Sequence, residues 1–132
     1  MDTVVAAYCY EGKGEKHKVA VITSSTGRWI IPKGNVEKGM KNREVALMEV
    51  WEEAGIIGII SGKPREFIID RGGIALWKVY PVKIRRKVDE WPESKHRKRK
   101  MVALGEAVRM IDDEDLAAAV KKFGKKLAKK SG

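Results

Sequence analysis

Cysteine and histidine are scarce in this chain. Cys9 is the only cysteine among 132 residues, so no internal disulfide can form. Lying within an apolar run, it reads as a buried small hydrophobe and not as a nucleophile. Such usage suits a reducing compartment, and the expected location is the cytoplasm. Only His17 and His96 carry imidazole. No second histidine stands at metal-ligand spacing from His96, which therefore reads as a loop residue. Long apolar runs are also missing: none approaches the ~20 residues of a membrane span. Residues 1–8 lack a basic segment followed by a long apolar stretch, so no secretory signal is expected. There is no internal repeat. With 43% hydrophobic residues, the chain reads as a single domain over residues 1–132, large enough for a real core.

Positive charge is what the chain holds in excess. Lys and Arg number 28 against 18 acids, giving a net charge of +10 and a pI near 9.8. A field of this sign attracts polyanions and speeds their encounter. Nucleic acid, anionic membrane surfaces and polyphosphorylated small molecules all qualify as partners. The charge is uneven, concentrated in residues 85–87, in residues 95–100 and in the lysines of the tail.

Acidic residues gather where the chemistry is expected. Residues 34–39 (GNVEKG) form a Gly-rich loop, and residues 42–54 are expected to be helical. Glu49, Glu52 and Glu53 stand at i, i+3 and i+4 and share one helical face. Leu47, Val50, Trp51 and Ala54 have the spacing of an apolar stripe on the opposite side. Gly55 is placed to end the helix in a left-handed conformation. Alone, three clustered carboxylates describe a solvated acidic face. Between two glycines and after a Pro32-Lys33-Gly34 turn, they describe a site for a hard divalent cation, which relieves their repulsion.

The stretch resembles the Nudix box, G-x5-E-x7-R-E-U-x-E-E-x-G-U with U a bulky apolar residue. Gly34, Glu49, Val50, Glu52, Glu53, Gly55 and Ile56 match it. Two positions depart: Met40 stands for the expected glutamate and Met48 for the expected arginine. An apolar contact between Met40 and Met48 is the expected replacement for a supporting polar pair, since swapping both partners of a buried ion pair for packed apolar groups is tolerated. The alternative is a weakened box and a slow or inactive enzyme. The approach through residues 27–34 (GRWIIPKG) is similar to that of diphosphoinositol polyphosphate and diadenosine polyphosphate hydrolases, and to that of RNA 5′-pyrophosphohydrolases. Physically, Lys33 beside a glycine can set a point charge against a phosphate chain. Arg28 can add a fork to the same chain.

Elsewhere the reading is coarser. Strands are expected over residues 3–10, 18–23, 28–31, 56–60, 66–70 and 74–84, the first two as a hairpin. Pro81 suggests an edge or a bulge. Residues 85–100 read as a charged loop. The resemblance implies instead an acidic-Trp-acidic segment (residues 89–93), a basic run holding Lys98 and Arg99, and an apolar strand from Met101. Glu90 and Glu93 each read as solvated loop acids, with an accessory carboxylate near the metals as the alternative that the resemblance offers for either one. A short helix over 105–111 and a final helix opened by acids at 112–115 complete the chain, with Gly124 weakening the last by about 1 kcal/mol relative to alanine.

Composition alone allows several α/β folds. The resemblance implies a Nudix α/β/α sandwich with a mixed central sheet. It further implies hydrolysis of a phosphoanhydride with Mg²⁺, or Mn²⁺ in its place. Glu49, Glu53 and Gly34 would lie at the metal and Glu52 would act as base. Arg28, Lys33, Lys98 and Arg99 would lie on the substrate. A diadenosine polyphosphate or diphosphoinositol polyphosphate substrate is favoured by the +10 charge. A 5′-triphosphorylated RNA is the alternative substrate, and a low-activity nucleic-acid-binding or regulatory protein is the rival from another class.

Overall fold

The computed structural model describes residues 1–131, the side chain of Ser131 excepted. Its organising strand is β1 (Asp2–Glu11), in which residues 5–10 are buried without interruption. A strand covered on both faces reads as a continuous apolar run, which is how this one reads. On one side β1 pairs in parallel with β7 (Ile74–Lys87), from Asp2↔Ala75 to Tyr10↔Lys83. On the other it pairs antiparallel first with β4 (Lys33–Asn35) and then, at its far end, with β2 (Lys18–Thr23). The expected hairpin is therefore real but short, held in register by Tyr10↔Val19 and Glu11↔Lys18. β2 diverges to pair with β3 (Trp29–Ile30) and with β8 (Arg99–Ala103). β5 (Ile56–Ile60) and β6 (Arg65–Asp70) lie end to end along the outer edge of β7. Pro81 stands at the break between them, where its missing N–H costs no ladder bond. The irregularity it suggested lies further on, at Ile57/Gly58.

Successive strand residues face opposite sides, and β1 shows which helix covers which face. Val5 packs with Val45 and Ala46 of α1 (Asn42–Ala54). Tyr8 stacks on Phe123 of α3 (Glu114–Ser131), ring centroids 4.7 Å apart. α2 (Leu104–Met110) packs beside α3. The result is the expected α/β/α sandwich over a mixed sheet. Leu116, Val120 and Phe123 are buried on α3 as their spacing foretold, and Leu127 packs against the same core. Among the described residues no helix is long and apolar enough to cross a membrane.

α1 spans the expected residues, and Gly55 ends it at φ 63°, ψ 37°. Its rotation differs from the expected one. The buried positions are Val45, Ala46, Val50, Glu53 and Ala54, while Trp51 is 38% exposed. Glu53 takes the place assigned to Trp51 because its carboxylate finds donors in the interior. Met40 joins the cluster of Val5, Val45, Ala46 and Tyr80, but Met48 joins neither apolar cluster. Met40 thus packs against α1 and the sheet.

Candidate active site

The site is built where β4 meets α1. Residues 33–35 were expected to be turn and loop, yet they form a strand against residues 4–6 of β1. Pro32 supports that strand by accepting the Ala7 N–H at 3.0 Å. The strand carries the Lys33 N–H to Glu53, where it donates to Oε1 at 3.1 Å. One residue on, the Glu49 carboxyl fills the space a side chain would take, and a Cβ on Gly34 would overlap it. Gly34 is therefore required for close approach and not for an unusual backbone angle.

The three glutamates meet as the spacing implied, but in different surroundings. Glu53 is 7% exposed. Its other oxygen faces Arg97 Nη2 at 3.4 Å. Burial raises its pKa, against the lowering effect of the Lys33 N–H and the Arg97 guanidinium. Glu49 is half-buried, and its pKa is pushed up to about 7, first by burial and then by the charges of Glu53 and Glu52. Glu52 also hydrogen-bonds to it. Among the described residues no three acidic, imidazole or thiol side chains already form a complete ligand set. The donors present are nonetheless hard oxygens in mutual repulsion beside a glycine backbone. That chemistry fits Mg²⁺, which keeps several waters and takes one or two carboxylates from the protein.

Cations and a hydroxyl-bearing loop line the rest of the cleft. It measures about 200 Å³, with Lys33, Glu53, Arg71, Arg97 and the Ser24–Ser25–Thr26 loop among its walls. Burial, and next the charge of Arg71, lowers the Lys33 pKa. Arg71 Nε donates to Asp113 Oδ2 at 2.7 Å, and Arg28 Nη1 donates to Asp113 Oδ1 at 3.3 Å. Asp113 thus holds two arginines at one rim. Lys98 lies in an adjoining hollow of about 400 Å³ that shares Ser24, Ser25 and Arg97 with the cleft.

Arg97 and Arg71 were not singled out in the sequence. Arg97 binds Glu53, Glu93 Oε1 at 2.7 Å and the Thr23 carbonyl at 2.8 Å. Its signal was the i, i+4 spacing from Glu93. Arg71 sits in a turn with no such signal. Glu93, read as a solvated acid, instead anchors Arg97 and adds its charge to the cluster. Arg99 requires a correction. It was expected on the substrate, but its Nη1 donates to the carbonyls of Ala54, Gly55 and Val88. Its guanidinium also lies 4.6 Å from the centre of the Trp91 ring. Trp91 Nε1 donates to the Glu53 carbonyl, and the Glu93 N–H to that of Glu52. Arg99 and the acidic-Trp-acidic segment therefore close the C-terminal end of α1, whose last carbonyls lack helical partners.

No family model matches the chain. Curated relatives do. It is 30% identical over 125 residues to Nudix hydrolase 21, chloroplastic, of Arabidopsis thaliana, covering 88% of this chain and 61% of that one. Nudix hydrolase 16, mitochondrial, of the same plant is 30% identical over 105 residues, 72% of this chain and 58% of its own. The chain spans about three-fifths of the length of these relatives. An RNA pyrophosphohydrolase of Cereibacter sphaeroides is 32% identical over 74 residues, 53% of this chain and 46% of its own. Among solved structures, a binary complex of Caenorhabditis elegans (C. elegans) Ap4A hydrolase superposes with a TM-score of 0.80 at 21% identity, covering 98% and 99% of the two chains. The MutT protein of Methanosarcina mazei Go1 gives 0.69 at 21% identity, covering 98% and 94%. The sandwich and the box residues agree with these likenesses: the chain belongs to the Nudix superfamily.

Proposed function

We propose that this protein is a Mg²⁺-dependent pyrophosphohydrolase that cleaves a phosphoanhydride bond in a polyphosphorylated substrate. The observation that carries this reading is the convergence of Glu49 and Glu53 on the backbone of Lys33 and Gly34, beside a cleft to which Lys33, Arg71 and Arg97 bring positive charge. Glu49, Glu53 and the Gly34 carbonyl would hold the metal. Mg²⁺, or Mn²⁺ in its place, supplies charge neutralisation at phosphate oxygens and a water of lowered pKa when bound. Glu53 has capacity for this beyond its two present partners, since a carboxylate offers about four acceptor sites. By its place in the box, Glu52 takes the proton of the attacking water. Water oxygen bonds to phosphorus, the bridging P–O bond breaks, and two phosphate-bearing products leave. Lys33 beside the carboxylates, with Arg28 and Lys98 at the rims, neutralises the chain while charge develops.

Six cations border the adjoining hollows: Arg28, Lys33, Arg71, Lys95, Arg97 and Lys98. Such a lining suits a long or densely charged anion, and a diadenosine polyphosphate or diphosphoinositol polyphosphate stands first. A 5′-triphosphorylated RNA is the second reading, favoured by the similarity to an RNA pyrophosphohydrolase. The buried, unpaired Cys9 thiol is compatible with work in a reducing cytoplasm. Product release measured with Mg²⁺ across these substrates tests the proposal. Glu49→Gln and Glu53→Gln should each lower kcat by about 100-fold or more, as loss of transition-state charge stabilisation does. Full turnover by either variant would sink the assignment.

A further inference from the structure

A larger hollow lies at the opposite end of the sheet from the carboxylates. It is a groove of about 630 Å³ between the C-terminal half of α3 and the β5–β6 connection. α3 begins beside Asp113 at the cleft, and Lys130 lies near its other end, about 25 Å away at 1.5 Å per residue. The floor is apolar: Tyr10, Pro81, Phe123 and Leu127. The rim is cationic: Lys63, Arg65, Lys126 and Lys130. None of these four has an ion-pair partner among the described residues, and the lining includes no acid. Ser61 stands between floor and rim, its Oγ 2.8 Å from the Tyr10 hydroxyl.

The same chemistry continues past the groove. Tyr10 pairs with Lys83, and Lys83 with Ile59, across three adjacent strands. Cross-strand partners share a face. Beyond the bulge Ile57 pairs with Arg86. Ile57 and Ile59 are 45% and 42% exposed. Nearby Glu11 is neutralised by Lys87 at 2.6 Å. An extended path thus runs from α3 to the sheet edge, with Lys83 and Arg86 of β7 beside the exposed isoleucines of β5.

We propose that this groove is a second binding site, and that it takes a single-stranded nucleic acid. Several cations without ion-pair partners along one groove match a phosphate backbone. An apolar bed matches the faces of bases more closely than the hydroxyl-covered body of an inositol or sugar. The path is longer than one nucleotide and suits a segment of about four, the short end of what single-strand grooves accept. The assignment does not rest on the hydrolase reading.

Fluorescence anisotropy tests it on the full chain, using a labelled ten-nucleotide single strand without a 5′ phosphate and without Mg²⁺. The wild type should bind with a log–log salt slope of about −3, from four phosphates at about 0.7 each. Lys126→Glu with Lys130→Glu should weaken binding by about tenfold or more and roughly halve that slope. Lys63→Glu with Arg65→Glu should do the same. These side chains are exposed or half-exposed, and an unchanged Tm certifies the fold. Glu53→Gln should bind the strand as the wild type does, and at physiological salt the Lys126/Lys130 variant should hydrolyse as the wild type does. Loss of the catalytic reading therefore leaves this result standing, and the reverse. Wild-type binding by both rim variants would overturn the proposal. So would equal binding of an abasic strand, which makes the groove a general polyanion patch, or equal competition by phosphatidylserine vesicles, which makes the partner a membrane.

Discussion

Gly34 and Glu49 occupy what would be one side chain's space. The Glu49 carboxyl lies where a Cβ at position 34 would project. Gly34→Ala should displace that carboxyl and lower kcat/KM by about tenfold or more, as a small misplacement of a catalytic group does. Position 34 lies on a short strand with ordinary backbone angles, so Tm should fall little. Kinetics and thermal unfolding of the same variant separate the two effects. Glu49 also makes stability depend on pH. Its folded pKa of about 7 lies above the usual carboxylate range, so the native state binds the proton more tightly than the unfolded chain. Folding is therefore favoured when Glu49 is protonated, and that contribution is lost as pH rises from the unfolded value toward 7. Glu49→Gln keeps the neutral form at all pH. Because the group is only half-buried, solvent screening leaves a gain of about 1 kcal/mol at pH 8 and almost none near pH 4. Saturating Mg²⁺ should reverse the order by stabilising only the wild type. Unfolding curves at the two pH values, with and without Mg²⁺, check both. The three glutamates were legible because helical spacing fixes which side chains meet. Arg97 was not, because β8 and the loop before it decide which member of a basic run turns inward.

α1 depends on how its end is closed. Trp91, the Glu93 N–H and Arg99 satisfy the carbonyls of residues 52–55. Arg99→Met should cost about 2 kcal/mol, since hydrogen bonds to a charged donor contribute more than neutral ones and their loss strands buried acceptors. Arg99→Lys should recover only part of it, lacking the planar fork. Denaturant midpoints rank the three proteins. On the other face, Gly124 reverses the expectation from propensity. Read in the sequence it weakens α3, yet a Cβ there would stand 2.5 Å from Tyr8 Oη and from Leu104 Cδ1. Gly124→Ala should destabilise by about 1–2 kcal/mol, overpacking outweighing the gain in helix propensity. A raised Tm would show that Tyr8 and Leu104 yield. Most elements were legible because apolar runs and periodicity report burial directly. β4 was not, because Pro32-Lys33-Gly34 reads as a turn until β1 offers it a partner. Nor was the outward turn of Trp51, since periodicity cannot foresee that a carboxylate with two donors will displace an indole from the interior.

At the scale of the whole molecule, the +10 chain gathers some of its cations at two separate hollows. The sequence shows the excess but not this arrangement, which arises because the β5–β6 connection folds against the end of α3. One set of cations borders the carboxylate cleft, and the other rims the distal groove. Ionic strength should distinguish their effects on catalysis. The groove's Lys126 and Lys130 lie about 20–25 Å from the cleft by the length of α3. At 0.15 M salt the Debye length is about 8 Å, and at 0.01 M about 30 Å. The Lys126→Glu, Lys130→Glu variant should therefore match wild-type kcat/KM for a polyphosphate substrate at the higher salt. At the lower salt the distal charges reach the cleft, and the variant should fall below the wild type through slower encounter with the anion. kcat should stay unchanged at both, because the proposed chemical step uses only groups at the carboxylates. A deficit that persisted at 0.15 M would mean that substrate touches the distal lysines directly, joining the two basic ends into one site.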